Sequence, residues 1–572
     1  MKRISALLFF CFATATLSAQ VSQQVEVTKA YVPHVGKAGK LAVQPRMTDT
    51  VSLRPVIEYS VEPHTWSTEF EARKIRPASV SANPYHVSRP FYIKAAAGYP
   101  LQSLLDAYVS KSDDDGSTVG AFVKHYGSYS KRKNDYDSRR NRATLMDNAV
   151  GLFGTKNWKR YSLSGSLSYD NRLAYRYGAF SLDSVAVQPE ERLMPRKISD
   201  RMVDIGSLRA GVRFGDSFAD MSRFNFAVGL GAGFMHDAAC DRQVDIDAFA
   251  RMGKMYGAHG FDFTLGYEGR IGAVALRDAG TSTVKAAPRY VLRTRKVNLA
   301  AGVDYAYTHD GLYADRHNIF PVVDLRIDVA DGCFIPYLTV GGEVVSGSFF
   351  SLAERNPYLA AGSVAPTGRR IDLRVGIEGS VKECFLYRAF AGYSSLARIP
   401  FFVSLYMPAG ADDTGQFGII SDDADMFTAG AQLQLSLSRS FEAEYKVGYY
   451  GYNNGALPHR GGMPEYDMSL SLRYSYRNKF SIGASAVLLG ARYFPEIDAR
   501  TEQGTVWTDF SGDVYTSRVP ATVNLSVDVD FRITEKLWGF VSGSNLAAAR
   551  LYTFNHYREL GAGAMAGIRV VF

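Results

Sequence analysis

The chain has 572 residues, long enough for several soluble domains or for one large barrel, so length alone excludes neither. Aromatic residues make up 13% of it, with 35 Tyr, 34 Phe and 52 Gly, which suits many short strands with aromatic belts and argues against a helical enzyme. The formal charge of +8 is modest, and two of the charges stand at Lys2 and Arg3, so no nucleic-acid partner is expected.

Lys2-Arg3, the apolar run Ile4 to Phe12 and the small exit Ser18-Ala19 read as a secretory signal peptide, residues 1–19. Cys11 lies behind Phe9 and Phe10 without the small residues of a lipoprotein cleavage site, so no lipid anchor is expected there. After Gln20 no uncharged run approaches the ~18 residues of a membrane helix. A chain entering a membrane must then do so as a closed barrel, which alone among sheets satisfies every backbone group in lipid.

Residues 20–88 carry a proline about every ten residues, among them Pro33, Pro45, Pro55 and Pro63. That spacing excludes central strands and long helices and leaves an extended leader, periplasmic or lumenal. Val25 to Thr28 has a second reading, as a short edge-pairing strand for an energy-coupling partner.

From residue 89 to 572 strands follow one another. Short polar turns closed by an aromatic recur at Lys156-Asn157-Trp158, Asp331 to Phe334, Lys382 to Phe385, Ser438 to Phe441, Arg477 to Phe480 and Glu535 to Trp538. Weaker turns stand at Asp216-Ser217, Lys254 to Gly260 and Arg293 to Lys296. They divide the chain into about ten strands after Phe334, about eight from Trp158 and four before Thr155, so an all-β transmembrane antiparallel barrel of about 22 strands is expected, with 16 to 22 as the range. Each aromatic after a turn belongs in an interfacial girdle.

Period-two alternation assigns the faces. Val523, Leu525, Val527, Val529 and Phe531 should meet lipid, while Asp528, Asp530 and Arg532 face the lumen. Phe441, Ala443, Tyr445, Val447 and Tyr449 likewise alternate with lumen-facing Glu442, Glu444 and Lys446, and Ile371, Leu373, Val375 and Ile377 with lumen-facing Asp372 and Arg374. A charge on the lipid face would cost ~2–4 kcal/mol at midplane, so this segregation is what a barrel requires.

The last stretch has the same alternation, Ala562 to Phe572 on one parity, and ends on an aromatic of the apolar face. With Leu537-Trp538-Gly539-Phe540-Val541-Ser542-Gly543-Ser544-Asn545-Leu546, Tyr552, Asn555-His556-Tyr557 and Gly567 to Phe572, it resembles the C-terminal hairpin of TonB-dependent-receptor-type barrels. The leader resembles that of a group of such barrels in which it runs straight into the first strand. The resemblance implies a Gram-negative cell outer membrane, a porin-like or transporter-like role, contacts with outer-membrane lipid and lipopolysaccharide, and recognition by barrel-assembly machinery through Phe572 as C-terminal assembly signal. About seventy mature residues precede Phe91, too few for a globular plug, so a plugless barrel is expected. The competing reading is a structural or assembly subunit, with the leader docking a periplasmic or lipoprotein partner.

No enzyme, cofactor, metal or catalytic residue is expected. Neither a Gly-x-Ser-x-Gly elbow nor a His-Glu-x-x-His pair occurs. His125, His459 and His556 could meet carboxylates at the rim as in barrel proteases or lipases, but their spacing singles none out. Asp412-Asp413-Thr414-Gly415 with Asp422, Asp423 and Asp425 is oxygen-rich yet matches no known calcium loop, and Asp113 to Ser117 reads as a hairpin turn. Lys131 to Lys133 with Arg139, Arg140 and Arg142 form a basic loop, solvated or phosphate-binding. Cys333 and Cys384 stand at equivalent points of neighbouring turns, and either free thiols or a disulfide fit.

Overall fold

In the computed structural model, the described residues are 90–133, 140–178, 202–237, 242–274, 277–310, 313–345, 349–360, 368–382, 384–406, 415–438, 440–455, 457, 461–477, 479–498 and 514–572. The chain divides into two units, Met1–Asn83 and Pro84–Phe572. The signal peptide, the leader, Cys240, Arg139, Asp412 to Thr414 and His459 lie outside the described residues.

Twenty-two antiparallel strands close into one barrel, from Phe91–Tyr99 round to Gly563–Val571. Closure pairs the first strand with the last, Tyr92↔Val571 through Tyr99↔Ala564. Phe91 and Phe572 exchange backbone hydrogen bonds of 2.9 and 3.1 Å, and their rings stack with centroids 5.2 Å apart. Full closure removes both sheet edges, which is the condition for crossing lipid with strands.

The turns expected from the sequence join these strands at the end that carries Phe91 and Phe572, and none exceeds the eight residues of 217–224. Asp113 to Ser117 is such a turn: the Ser117 N–H donates to Asp115 Oδ1 at 2.8 Å and Gly116 takes φ +76°. The long connections gather at the other end. Cys333 and Cys384 are free thiols.

Trp538 departs from the girdle expectation. Its register partners are Arg532 and Arg569, and the Arg569 guanidinium lies 5.0 Å from its ring, so it sits on the charged face rather than in the apolar belt.

One join in the wall is short. Tyr313–Ile327 meets Ile335–Val345 through four pairs only, Val323↔Val340 to Arg326↔Tyr337. Beyond them Phe320 is buried with Ala306 and Val344, its ring lying against the Cα of Gly342, where a Cβ would come within 2.3 Å.

Candidate functional site

At the loop end of the barrel, loops from separate parts of the wall pack on one another. Tyr552–Phe554 and Tyr557–Arg558 form a small hairpin whose turn, Asn555-His556, places His556 at φ +67°. Its root is held by Asn545, whose side chain bonds the backbone of Ala549 and Leu560 at 2.9 to 3.1 Å. Tyr557 is 1% exposed and packs with Tyr177, Tyr358, Phe417, Ala143 and Ala174, residues from four other segments. Its ring stacks on Tyr358 and meets Tyr177 edge-on at 4.9 Å, and its hydroxyl donates to the Gly415 carbonyl at 2.5 Å.

Arg132 locks this contact. One Nη1 reaches the Tyr177 hydroxyl at 2.5 Å and the Arg558 carbonyl at 3.0 Å, and the guanidinium lies 4.8 Å from the Tyr177 ring. The basic loop therefore spends Arg132 on structure, and Arg142 lies against the Tyr175 ring at 4.5 Å. Burial pushes the phenols of Tyr177 and Tyr358 above the ordinary tyrosine range.

A second layer comes from the paired strands Phe385–Tyr406 and Phe417–Ser438. A register shift between Leu396 and Ile399, with Arg398 at φ +55°, bends their ends, and beyond it both faces are buried. Phe401, Val403 and Ile420 pack on Leu457 and Ala360, while Ile419 packs with Leu352 of the helix Phe349–Arg355. Burial of apolar surface on both faces means these strand ends have left the wall and lie over the opening. Ser404 to Tyr406 then pair in parallel with Glu496 to Asp498 of another loop hairpin.

Several buried polar groups inside the cap are partnered, while Asn356 Nδ2, Ser404 Oγ and Ser421 Oγ are buried without a hydrogen bond. Glu496 accepts from Asn555 and lies 3.0 Å from His556 Nε2, with both side chains about nine-tenths buried. Arg492 donates to the Tyr552 and Thr553 carbonyls, and burial holds its guanidinium below the ordinary arginine range. Asp422 receives the Leu457 N–H and Asp423 the Arg398 N–H, each at 2.8 Å, so both serve the cap's backbone. His556 does meet a carboxylate; His125 instead lies between Ser103 and Asn148.

Beneath the cap, charged side chains pair across strands. Arg251 with Asp262, Lys285 with Glu268 and Arg289 with Asp304 line a cavity of about 860 Å³. Among the residues expected in the lumen, Asp372 pairs with Arg370 at 2.8 Å, Glu444 with Lys446 at 2.8 Å and Asp530 with Arg569 at 3.6 Å. Arg374 lies over the Phe390 ring at 4.7 Å. On the other parity Leu373, Val375, Leu525 and Phe531 are exposed.

The barrel is similar to known structures. The FrpB iron transporter from Neisseria meningitidis aligns with a TM-score of 0.62 at 8% identity, over 84% of this chain and 81% of that one. The siderophore receptor PirA from Acinetobacter baumannii aligns at 0.60 and 10%, over 84% and 80%. The ferripyoverdine receptor of the outer membrane of Pseudomonas aeruginosa aligns at 0.58 and 11%, over 84% and 71%. This chain is an outer-membrane β-barrel similar in fold to TonB-dependent receptors. At such identities the likeness is one of fold alone; no family model and no curated protein matches the chain. Barrels of this kind carry short periplasmic turns and longer extracellular loops, so the cap lies at the extracellular end.

Asn545 and Asn555-His556-Tyr557 stand out in the sequence for their family resemblance, and nothing there shows that they anchor the loop cluster. No periodicity marks a loop that folds inward. The available signal was aromatic density in polar loops, at Tyr177, Tyr358, Phe402 and Phe554.

Proposed function

We propose that this protein is a gated outer-membrane transporter, resembling TonB-dependent receptors, whose resting state is closed at the extracellular side by its own loops. The carrying observation is Tyr557, buried at the junction of five segments of the cap. A barrel of 22 strands has a lumen wider than side chains from the wall can fill. Asp372, Arg374, Glu442, Glu444, Lys446, Asp528, Asp530 and Arg532 line that lumen in this reading, and their mixed signs favour a polar solute over ions of one charge. Residues 20–88 act as a leader rather than a globular plug and meet a periplasmic or lipoprotein partner. Phe572 presents the closing strand to the barrel-assembly machinery.

The partnered polar groups within the cap, Glu496 with Asn555 and His556, favour a second reading, a fixed structural or assembly subunit, because gates are drawn from weakly packed segments. Single-channel conductance of the mature protein, beside a chain lacking residues 20–88, separates these. Silence of the intact protein with conduction on leader removal makes the leader a gate; conduction by both means a passive pore. Silence of both, persisting when the cap is broken, supports the structural subunit.

A further inference from the structure

We propose that Ser103, His125, Asn148 and Tyr129 form a serine-hydrolase site on the outer face of the barrel, acting on the acyl esters of membrane lipids. Ser103 Oγ lies 2.8 Å from His125 Nε2, and His125 Nδ1 lies 2.7 Å from Asn148 Oδ1. This is the nucleophile, base and orienter relation of hydrolytic triads, which recurs on unrelated folds and is recognised by geometry. Nδ1 donates to the amide oxygen, so Nε2 carries the lone pair that faces the serine. The Tyr129 hydroxyl stands 3.3 Å from Ser103 Oγ and 3.4 Å from His125 Nε2, placed to donate to an oxyanion.

Three adjacent strands hold the group. Leu105 pairs with His125 and His125 with Asn148, while Ser103 stands opposite Gly127. A Cβ at Gly127 would come within 2.8 Å of Ser103 Oγ and 2.4 Å of the Tyr129 hydroxyl, so only glycine leaves room for the two hydroxyls to approach each other there.

The face is the lipid face. Asp147, next to Asn148 and on the opposite parity, pairs with Arg172 at 2.6 Å. Arg172 also donates to the Glu354 carbonyl at 2.9 Å, on the helix of a loop that arises far around the wall and reaches it through the barrel's interior. Asp147 therefore points inward and Asn148, His125 and Ser103 outward, flanked by exposed Leu105, Val123 and Val150. All three lie within ~10 Å of the loop ends of their strands, the depth of the outer leaflet's ester groups.

Ser103 Oγ attacks the ester carbonyl carbon as its proton passes to His125 Nε2; Tyr129 holds the oxyanion. Collapse breaks the acyl C–O bond, and the leaving alcohol takes the proton from His125. Water, deprotonated by His125, then cleaves the acyl-serine and returns a proton to Ser103, releasing a fatty acid. Ser103, His125 and Tyr129 are catalytic residues in this scheme, and Asn148 is a positioning residue. The site needs no opening of the cap, so it stands or falls separately from transport.

The test treats the purified full-length protein, in vesicles of phosphatidylethanolamine and phosphatidylglycerol, with a fluorescent fluorophosphonate and maps the adduct by mass spectrometry. The proposal expects an adduct at Ser103 that Ser103→Ala abolishes and His125→Ala slows ~10²–10⁴-fold. Asn148→Ala should lower kcat at unchanged KM, with partial rescue by Asn148→Asp, and Tyr129→Phe should slow acyl release several-fold in a barrel whose rim is otherwise intact. Fatty acid released from the vesicle phospholipid, or ester-linked acyl chain released from purified lipid A, identifies the source. The proposal is overturned if Ser103 of the folded wild-type protein gains no adduct, or if neither lipid loses an acyl chain; the four side chains are then a polar belt at head-group level.

Discussion

The rings of Tyr358 and Tyr557 stack with centroids 3.9 Å apart and planes 23° apart, although one follows the strand Ile335–Val345 and the other precedes the closing strand Gly563–Val571. Two loops from separate parts of the wall thus meet over the lumen. Stacked aromatic pairs contribute ~0.5–1.5 kcal/mol beyond the area they bury, so this contact helps hold the mouth shut.

Replacing the hub should loosen the cap without unfolding the wall. Tyr557→Ala is expected to cost the cap ~3–5 kcal/mol, and Tyr557→Phe, which loses the bond to the Gly415 carbonyl, ~1 kcal/mol. Limited proteolysis should show the loops cleaved in the alanine variant while the heat-modifiable barrel band persists.

Arg132 should not be replaceable by lysine. A single ammonium cannot both reach the Tyr177 hydroxyl and Arg558 carbonyl and cover the Tyr177 ring. Arg132→Lys is expected to raise protease cleavage at the cap nearly as much as Arg132→Ala, whereas Lys131→Ala leaves it unchanged.

Alkaline solution should open the cap. Burial raises the folded-state pKa of Tyr177 and Tyr358 above the unfolded value near 10. Their contribution to cap stability is therefore complete below about pH 10 and falls as pH rises through the folded value. Loop cleavage should be flat from about pH 7 to 9 and climb above about 10, with a weaker climb in Tyr358→Phe.

Strand parity offers a separate check on the wall. Leu525→Arg should destabilise the folded barrel in lipid by ~2–4 kcal/mol, while Asp528→Arg should cost little. Equal losses in urea titrations of the two would put both residues on one face.

The wall was largely legible in the sequence, because a turn must be polar and short and a lipid-facing parity must be apolar, whatever lies around it. Asp331-Gly332 and Arg477 to Lys479 mark turns for that reason, and Lys156-Asn157 end a strand just before one. Trp538 misled because an aromatic after a turn serves a lipid girdle or an arginine face equally well. The inward cap was not legible: Phe402 and Phe417 acquire partners only when strands distant in sequence bring their loops together. His125 could be named but not placed, since Ser103 and Asn148 lie on neighbouring strands with no fixed spacing.

The closed mouth is tested most directly by single-channel recordings of the mature protein beside Tyr358→Ala/Tyr557→Ala in the same bilayer. A silent wild-type protein and discrete openings in the double variant are expected, since the cap is then broken while the wall stays intact. A wild-type protein that conducts steadily, or a folded double variant that stays silent, would contradict it.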